Sequence, residues 1–109
     1  MNYAVRILRR AQVDADEIFC WLHKRSPSGA LRWYGAFQQA ADDLMTEPRR
    51  FGLATESRRF SHEVREQFFK TPRGRRYRLL FTIIGLEVRI LRIRGPGQRP
   101  VSRQDVSFS

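Results

Sequence analysis

The chain has 109 residues and a mass of 12.9 kDa, room for one domain over residues 1–109 and one core, which excludes a two-domain enzyme. Its hydrophobic fraction of 41% is near the globular average; with no apolar run of the roughly 18–20 residues of a membrane span and no signal-peptide stretch, a folded cytoplasmic protein without a membrane partner is expected. The formal net charge of +10 is regional, because residues 1–56 hold eight basic and seven acidic side chains whereas residues 57–109 hold thirteen and four.

Tyr3, Val5 and Ile7 alternate with Ala4, Arg6 and Leu8 and predict a short strand. The period then changes: Ala11, Ala15, Ile18 and Leu22 share one face of a helix over residues 9–25, with Asp14, Asp16 and Glu17 in its first half. Cys20, the single cysteine, excludes disulfide and zinc-ribbon scaffolds and is read as a small buried apolar group. Ser26 before Pro27 is an N-cap followed by proline at the first helical position, so a second helix starts there. Ala30, Tyr34, Phe37, Ala41 and Leu44 share its face, with Trp33 and Met45 at the margins, until Pro48 stops it near Glu47. A connection this short makes the two helices an antiparallel hairpin.

Residues 48–63 lack a period and read as a surface loop. Three strand-like runs follow, Val64 to Lys70, Arg76 to Ile84 and Leu86 to Arg94, separated by the turn residues Thr71-Pro72-Arg73-Gly74 and Gly85. The tail over 95–109 reads as irregular. This order predicts an α+β fold: a small antiparallel sheet, made of one N-terminal strand plus a three-stranded C-terminal meander, packed on an N-terminal helical hairpin.

Nineteen of the 21 cations are arginines, whose planar fork suits phosphate or carboxylate. Arg65, Lys70, Arg73, Arg75, Arg76 and Arg78 crowd the first two runs of the meander, and alternation puts Arg78 opposite Tyr77. On the last strand Arg92 and Arg94 follow Val88 and Ile90 on one face, which predicts a cluster of guanidinium groups at one end of the sheet. These eight residues are the candidate anion or target-binding site. The helices, lacking a basic run on their exposed faces, read as scaffold.

Signatures of serine hydrolases, phosphate loops, zinc proteases and dinucleotide folds are absent from the sequence, and neither a cofactor nor a metal is expected. His62 is the only imidazole near the arginines that could act as a general base, and no orienting partner for it is visible.

Four segments carry a family resemblance: the opening strand leading into Ala11 with Asp16-Glu17-Ile18, then Ser26-Pro27-Ser28-Gly29-Ala30, then Leu44-Met45-Thr46-Glu47-Pro48, and finally Tyr77-Arg78-Leu79-Leu80-Phe81 with Val88-Arg89-Ile90-Leu91-Arg92-Ile93-Arg94. In order and spacing they resemble the RelE/ParE superfamily of toxins from type II toxin-antitoxin modules. The resemblance implies a small toxin held inactive by a cognate acidic antitoxin that wraps its helices and sheet. RelE-like members cleave messenger RNA in the ribosomal A site, whereas ParE-like members poison DNA gyrase. Tyr77-Arg78 matches the RelE-like arginine that follows a tyrosine, and Arg99 is the nearest match to a second arginine that stabilises the scissile phosphate. The paired lysines of the RelE second strand have no counterpart in Arg65-Glu66-Gln67-Phe68-Phe69-Lys70, and no Tyr or His follows Tyr77. A ParE-like target, which needs no acid–base pair, is therefore the leading expectation. The alternatives are a ribosome-dependent endoribonuclease using Arg78, Arg99 and His62, and a non-toxic nucleic-acid or protein-binding module of the same fold.

Overall fold

Four strands, two helices and three short 3-10 turns make up the regular structure of the computed structural model, which describes residues 2–109. Strand β1 (Ala4–Ile7) leads into α1 (Arg9–His23) and α2 (Pro27–Asp43), and the meander is β2 (Arg65–Phe69), β3 (Tyr77–Ile84) and β4 (Glu87–Arg94). Ser26 caps α2 as its sequence predicts, its hydroxyl accepting from the Gly29 N–H at 3.0 Å. The helix ends at Asp43 rather than near Glu47. Its last residues, Asp42 and Asp43, oppose the negative end of the helix dipole, and the chain beyond is claimed by the sheet side: the Tyr3 N–H donates to the Met45 carbonyl at 2.8 Å and Asn2 bridges Thr46. Neither helix is long and apolar enough to cross a membrane.

The α+β architecture is as expected, with one difference in strand direction. In the order β1-β4-β3-β2, β1 runs parallel to β4, so the sheet is mixed rather than wholly antiparallel. The hairpin carries the chain from β1 across one face to the far edge, and two reversals in the meander return β4 to the side of β1 in the same sense. The tightest reversal is at Gly85, whose φ of +62° is open to glycine and strained for other residues.

Both faces of the sheet are covered. On one, Ala11 and Ala15 let α1 approach closely, while Trp33, Phe37 and Leu44 of the α2 segment pack on Phe69, Leu79, Phe81, Val88, Ile90 and Ile93. Trp33 is central to this core rather than marginal, stacked on Phe37 with ring centroids 5.9 Å apart. Cys20 lies off the apolar stripe of α1 and is exposed, contrary to expectation. On the second face Leu80 and Leu91 are buried by Leu8, Ala54 and Val64 together with Val101, Val106 and Phe108. The tail is thus a third layer, and a capping box between Ser102 and Asp105 shapes its one turn. Val101 is fully buried. Val101→Ala is expected to lower stability by about 2 kcal/mol, read as a shifted urea midpoint, because the cavity opens against Leu80 and Leu91.

A β-bulge changes the side on which the basic end of β4 presents its side chains. Leu80 pairs with Arg92 but Phe81 pairs with Ile90, which leaves Leu91 without a partner. Leu91 and Arg92 therefore both lie on the tail side, and Arg94, paired with Arg78, follows. The simple alternation expected from sequence, with Arg92 and Arg94 on the face of Val88 and Ile90, is corrected by this one extra residue.

Candidate functional site

Arg78 and Arg94 are direct cross-strand partners, and Arg92 lies two pairs further along on the same face, so the strands do bring the three guanidinium-bearing residues to one end of the sheet. Acids from elsewhere in the chain meet them there. Arg78 grips Glu56 with both terminal nitrogens, at 2.7 and 3.0 Å, and donates to Glu66 at 3.0 Å. Glu56 is only 3% exposed and also accepts the Val101 N–H at 3.1 Å. The Arg78 hydrogen bond outweighs burial and holds the Glu56 carboxyl down at about 2. Arg92 forms a fork with Asp14 of α1 at 2.8 and 2.9 Å, and the same carboxylate accepts the Ile93 N–H at 2.9 Å. Where β1 ends, Asp14 thus takes over as the partner of the β4 edge.

The remaining strand-end cations share one carboxylate. Asp105 accepts from Arg99 at 2.7 and 3.1 Å and lies 3.5 Å from Arg94. Arg99 and the Ser102 N–H hold the Asp105 carboxyl well below the usual range. Burial, with Arg92 nearby, lowers the pKa of the Arg94 guanidinium, and its Nε has no hydrogen-bond partner among the described residues. Arg65 donates to the carbonyls of Phe51 and Arg49 at 2.6 and 3.2 Å and pins the 3-10 turn Pro48–Arg50. Arg78, Arg92, Arg94 and Arg65 are therefore fastened inside the molecule, while Arg99, its side chain 63% exposed, is paired with Asp105 at the surface. His62 is exposed and packs against the Phe108 ring at 4.8 Å, with no strand-end arginine among its contacts in the hollow it lines.

A different set of cations is free. Lys70, Arg73, Arg75 and Arg76 lie in the exposed β2–β3 connection, where Arg76 covers the Phe68 ring at 4.1 Å. Arg73 and Arg75 face the tip of the helical hairpin across a cleft of about 520 Å³. Helix residues that sequence reasoning assigned to scaffold form the opposite wall: Trp21, Arg25, Arg32 and Trp33. Trp21 is 53% exposed, with the Arg25 guanidinium 3.7 Å from its ring centroid. Trp33 is buried, and its indole N–H has no acceptor among the described residues. Tyr77 closes the cleft beside Pro96; burial raises its hydroxyl pKa, opposed by the Arg75 charge. Ring and backbone meet tightly there: a Cβ on Gly95 would lie 2.9 Å from Tyr77 Cε2. The available sequence signal was the pair Arg25 and Arg32 flanking the Ser26-Pro27 cap, which the hairpin turn places at one tip.

The described geometry can bind an anion and hold charged groups apart from water, and the groups it gathers are the carboxylates of Glu56 and Glu66 around Arg78 and that of Asp105 around Arg99. The family model described as the ParE toxin of type II toxin-antitoxin system, parDE, matches residues 5–100. A solved chain from the chromosomal ParDE TA system of P. aeruginosa is similar in fold, with a TM-score of 0.67 and 22% identity over 85% of this chain and 95% of that chain. No curated protein matches. By the extent of the family match, the chain belongs to the ParE toxin family of type II toxin-antitoxin systems.

Proposed function

We propose that the protein arrests bacterial growth by binding DNA gyrase, that it does not cut messenger RNA, and that a cognate acidic antitoxin neutralises it. The observation that carries this reading is the fate of the strand-end arginines. A nuclease needs a guanidinium free to stabilise the extra charge on phosphorus and a base and an acid to move protons. Here Arg78 is saturated by Glu56 and Glu66 and Arg92 by Asp14, so the arginines at the strand ends are engaged inside the fold, while Arg99 in the tail forms a surface pair with Asp105. A binding inhibitor requires none of these groups to be free. The exposed cations Lys70, Arg73, Arg75 and Arg76 remain available to a target and to an acidic antitoxin segment.

Induced expression is expected to stop growth and to produce gyrase-linked DNA breaks, while toeprinting of ribosome-bound messages shows no codon-phased cuts. Co-expression of a short acidic-tailed protein encoded beside the gene is expected to restore growth. His62→Ala is expected to leave growth arrest intact, whereas a ribonuclease using it would slow by about 10²-fold. Codon-phased RNA cuts without DNA breaks would overturn the gyrase reading. Unchanged growth on strong soluble expression would favour a non-toxic binding module.

A further inference from the structure

Among the described residues eight ion pairs neutralise arginines elsewhere in the fold, and none of them involves a residue lining the hairpin-tip cleft. Arg25, Arg32, Arg73 and Arg75 converge on one hollow whose lining contains no carboxylate. Like charges held together without compensation repel one another, so the cleft is built for an anion that comes from outside. The N-terminal turn of α2, with Ser26 and Gly29 in the wall, adds the positive end of a 17-residue helix.

Size and shape narrow the ligand. A second hollow of about 370 Å³ adjoins the first and shares Gly29, Arg32, Thr71 and Arg73 with it. The two together exceed the space of a single phosphate and run as one groove past Arg32 and Arg73, which fits a polymer. Trp21 separates nucleic acid from an acidic peptide. Its indole is half exposed at the rim, with one guanidinium stacked on it, and a large aromatic plate among arginines is what a base and its phosphates use together. Carboxylate side chains need the cations but not the plate.

We propose that the hairpin-tip cleft binds a short stretch of single-stranded nucleic acid, its phosphates on Arg32, Arg73 and Arg75 and a base on Trp21. This inference concerns the purified chain and does not rest on the choice between gyrase and the ribosome.

The test is fluorescence anisotropy of the full chain with labelled single strands of ~12 nucleotides, DNA and RNA separately, between ~50 and ~200 mM salt. Both strands are expected to bind. The double variant Arg73→Ala/Arg75→Ala is expected to reduce the slope of log affinity against log salt by about 1.4, at roughly 0.7 per lost phosphate contact. Trp21→Ala is expected to weaken binding about tenfold with the slope unchanged, as for a lost stacking face. These side chains are exposed, so thermal midpoints are expected to stay constant; should Trp21→Ala disturb folding, Trp21→Leu supplies the same reading. Three outcomes overturn the proposal: no binding of either strand, binding indifferent to these substitutions, or displacement by a polyglutamate peptide of equal charge combined with indifference to Trp21→Ala. The last would identify an acidic-peptide surface instead.

Discussion

Arg78→Ala is expected to cost about 3–5 kcal/mol of folding stability, enough to lower the thermal midpoint by roughly 12 °C or more. The substitution leaves the Glu56 carboxylate, 3% exposed, with only backbone N–H groups, its own and that of Val101, to face its charge among the described residues. It also frees Glu66, held at 3.0 Å, at the same point. Most of the loss is the penalty of an orphaned buried charge, so removing both charges is milder. The double variant Glu56→Gln/Arg78→Met is expected to recover a large share of it, since the amide oxygen can still accept from Val101 and the thioether fills the guanidinium's place. Equal losses in the single and double variants would show that packing, not charge, is what Arg78 contributes.

The same pair sets an acid limit. Glu56 is held at about 2 in the fold against an ordinary value of 4.5, so its folded pKa is depressed. Its contribution is therefore present above about pH 4.5 and is lost as pH falls through that window toward 2. At full extent the depression is linked to about 3 kcal/mol. Urea titrations between neutral and acid pH are expected to show the gap between the native chain and Glu56→Gln narrowing as pH falls. A constant gap would place the acid sensitivity in another carboxylate.

Asp14→Ala is expected to be the second most damaging of these polar changes, at about 3 kcal/mol, because one carboxylate serves three donors. Two belong to Arg92, whose side chain is 18% exposed, and the third is the Ile93 N–H on the β4 edge beyond β1. Truncation breaks the clamp between α1 and the sheet and leaves both backbone and guanidinium donors unmatched. Asp14→Asn can still accept the Ile93 N–H and is expected to lose about half as much. Hydrogen exchange at Ile93 provides the site-specific check: faster in Asp14→Ala, near native in Asp14→Asn. Native protection in both would mean that the sheet edge is held without Asp14.

The elements were legible in the sequence because their causes are local. The helical stripe Ala11, Ala15, Ile18 and Leu22, the Ser26-Pro27 cap and the Gly85 reversal each depend on side chains within a turn or two of one another, and all are found where the pattern puts them. The family resemblance was legible for the same reason, being carried by short segments in order. The fate of the charges was not. Counting thirteen cations against four acids in residues 57–109 predicts an exposed anion site, but Arg78 and Arg92 are matched by Glu56 and Asp14, acids from the other half of the chain, 22 and 78 residues away. Pairing over such separations depends on which edges the folded sheet leaves open. Phase on β4 was equally out of reach: one unpaired residue, Leu91, moves Arg92 and Arg94 to the opposite face, and a bulge is decided by how two strands fit rather than by either strand's alternation. The cleft at the hairpin tip shows the same division. Trp21, Arg25 and Arg32 read as parts of two amphipathic helices, and only the hairpin's approach to the β2–β3 connection sets them across from Arg73 and Arg75. Local periodicity therefore determined the elements and their order, while the assignment of each arginine to an internal acid or to an open cleft was made by tertiary packing, because charge pairing acts through space and is blind to distance along the chain.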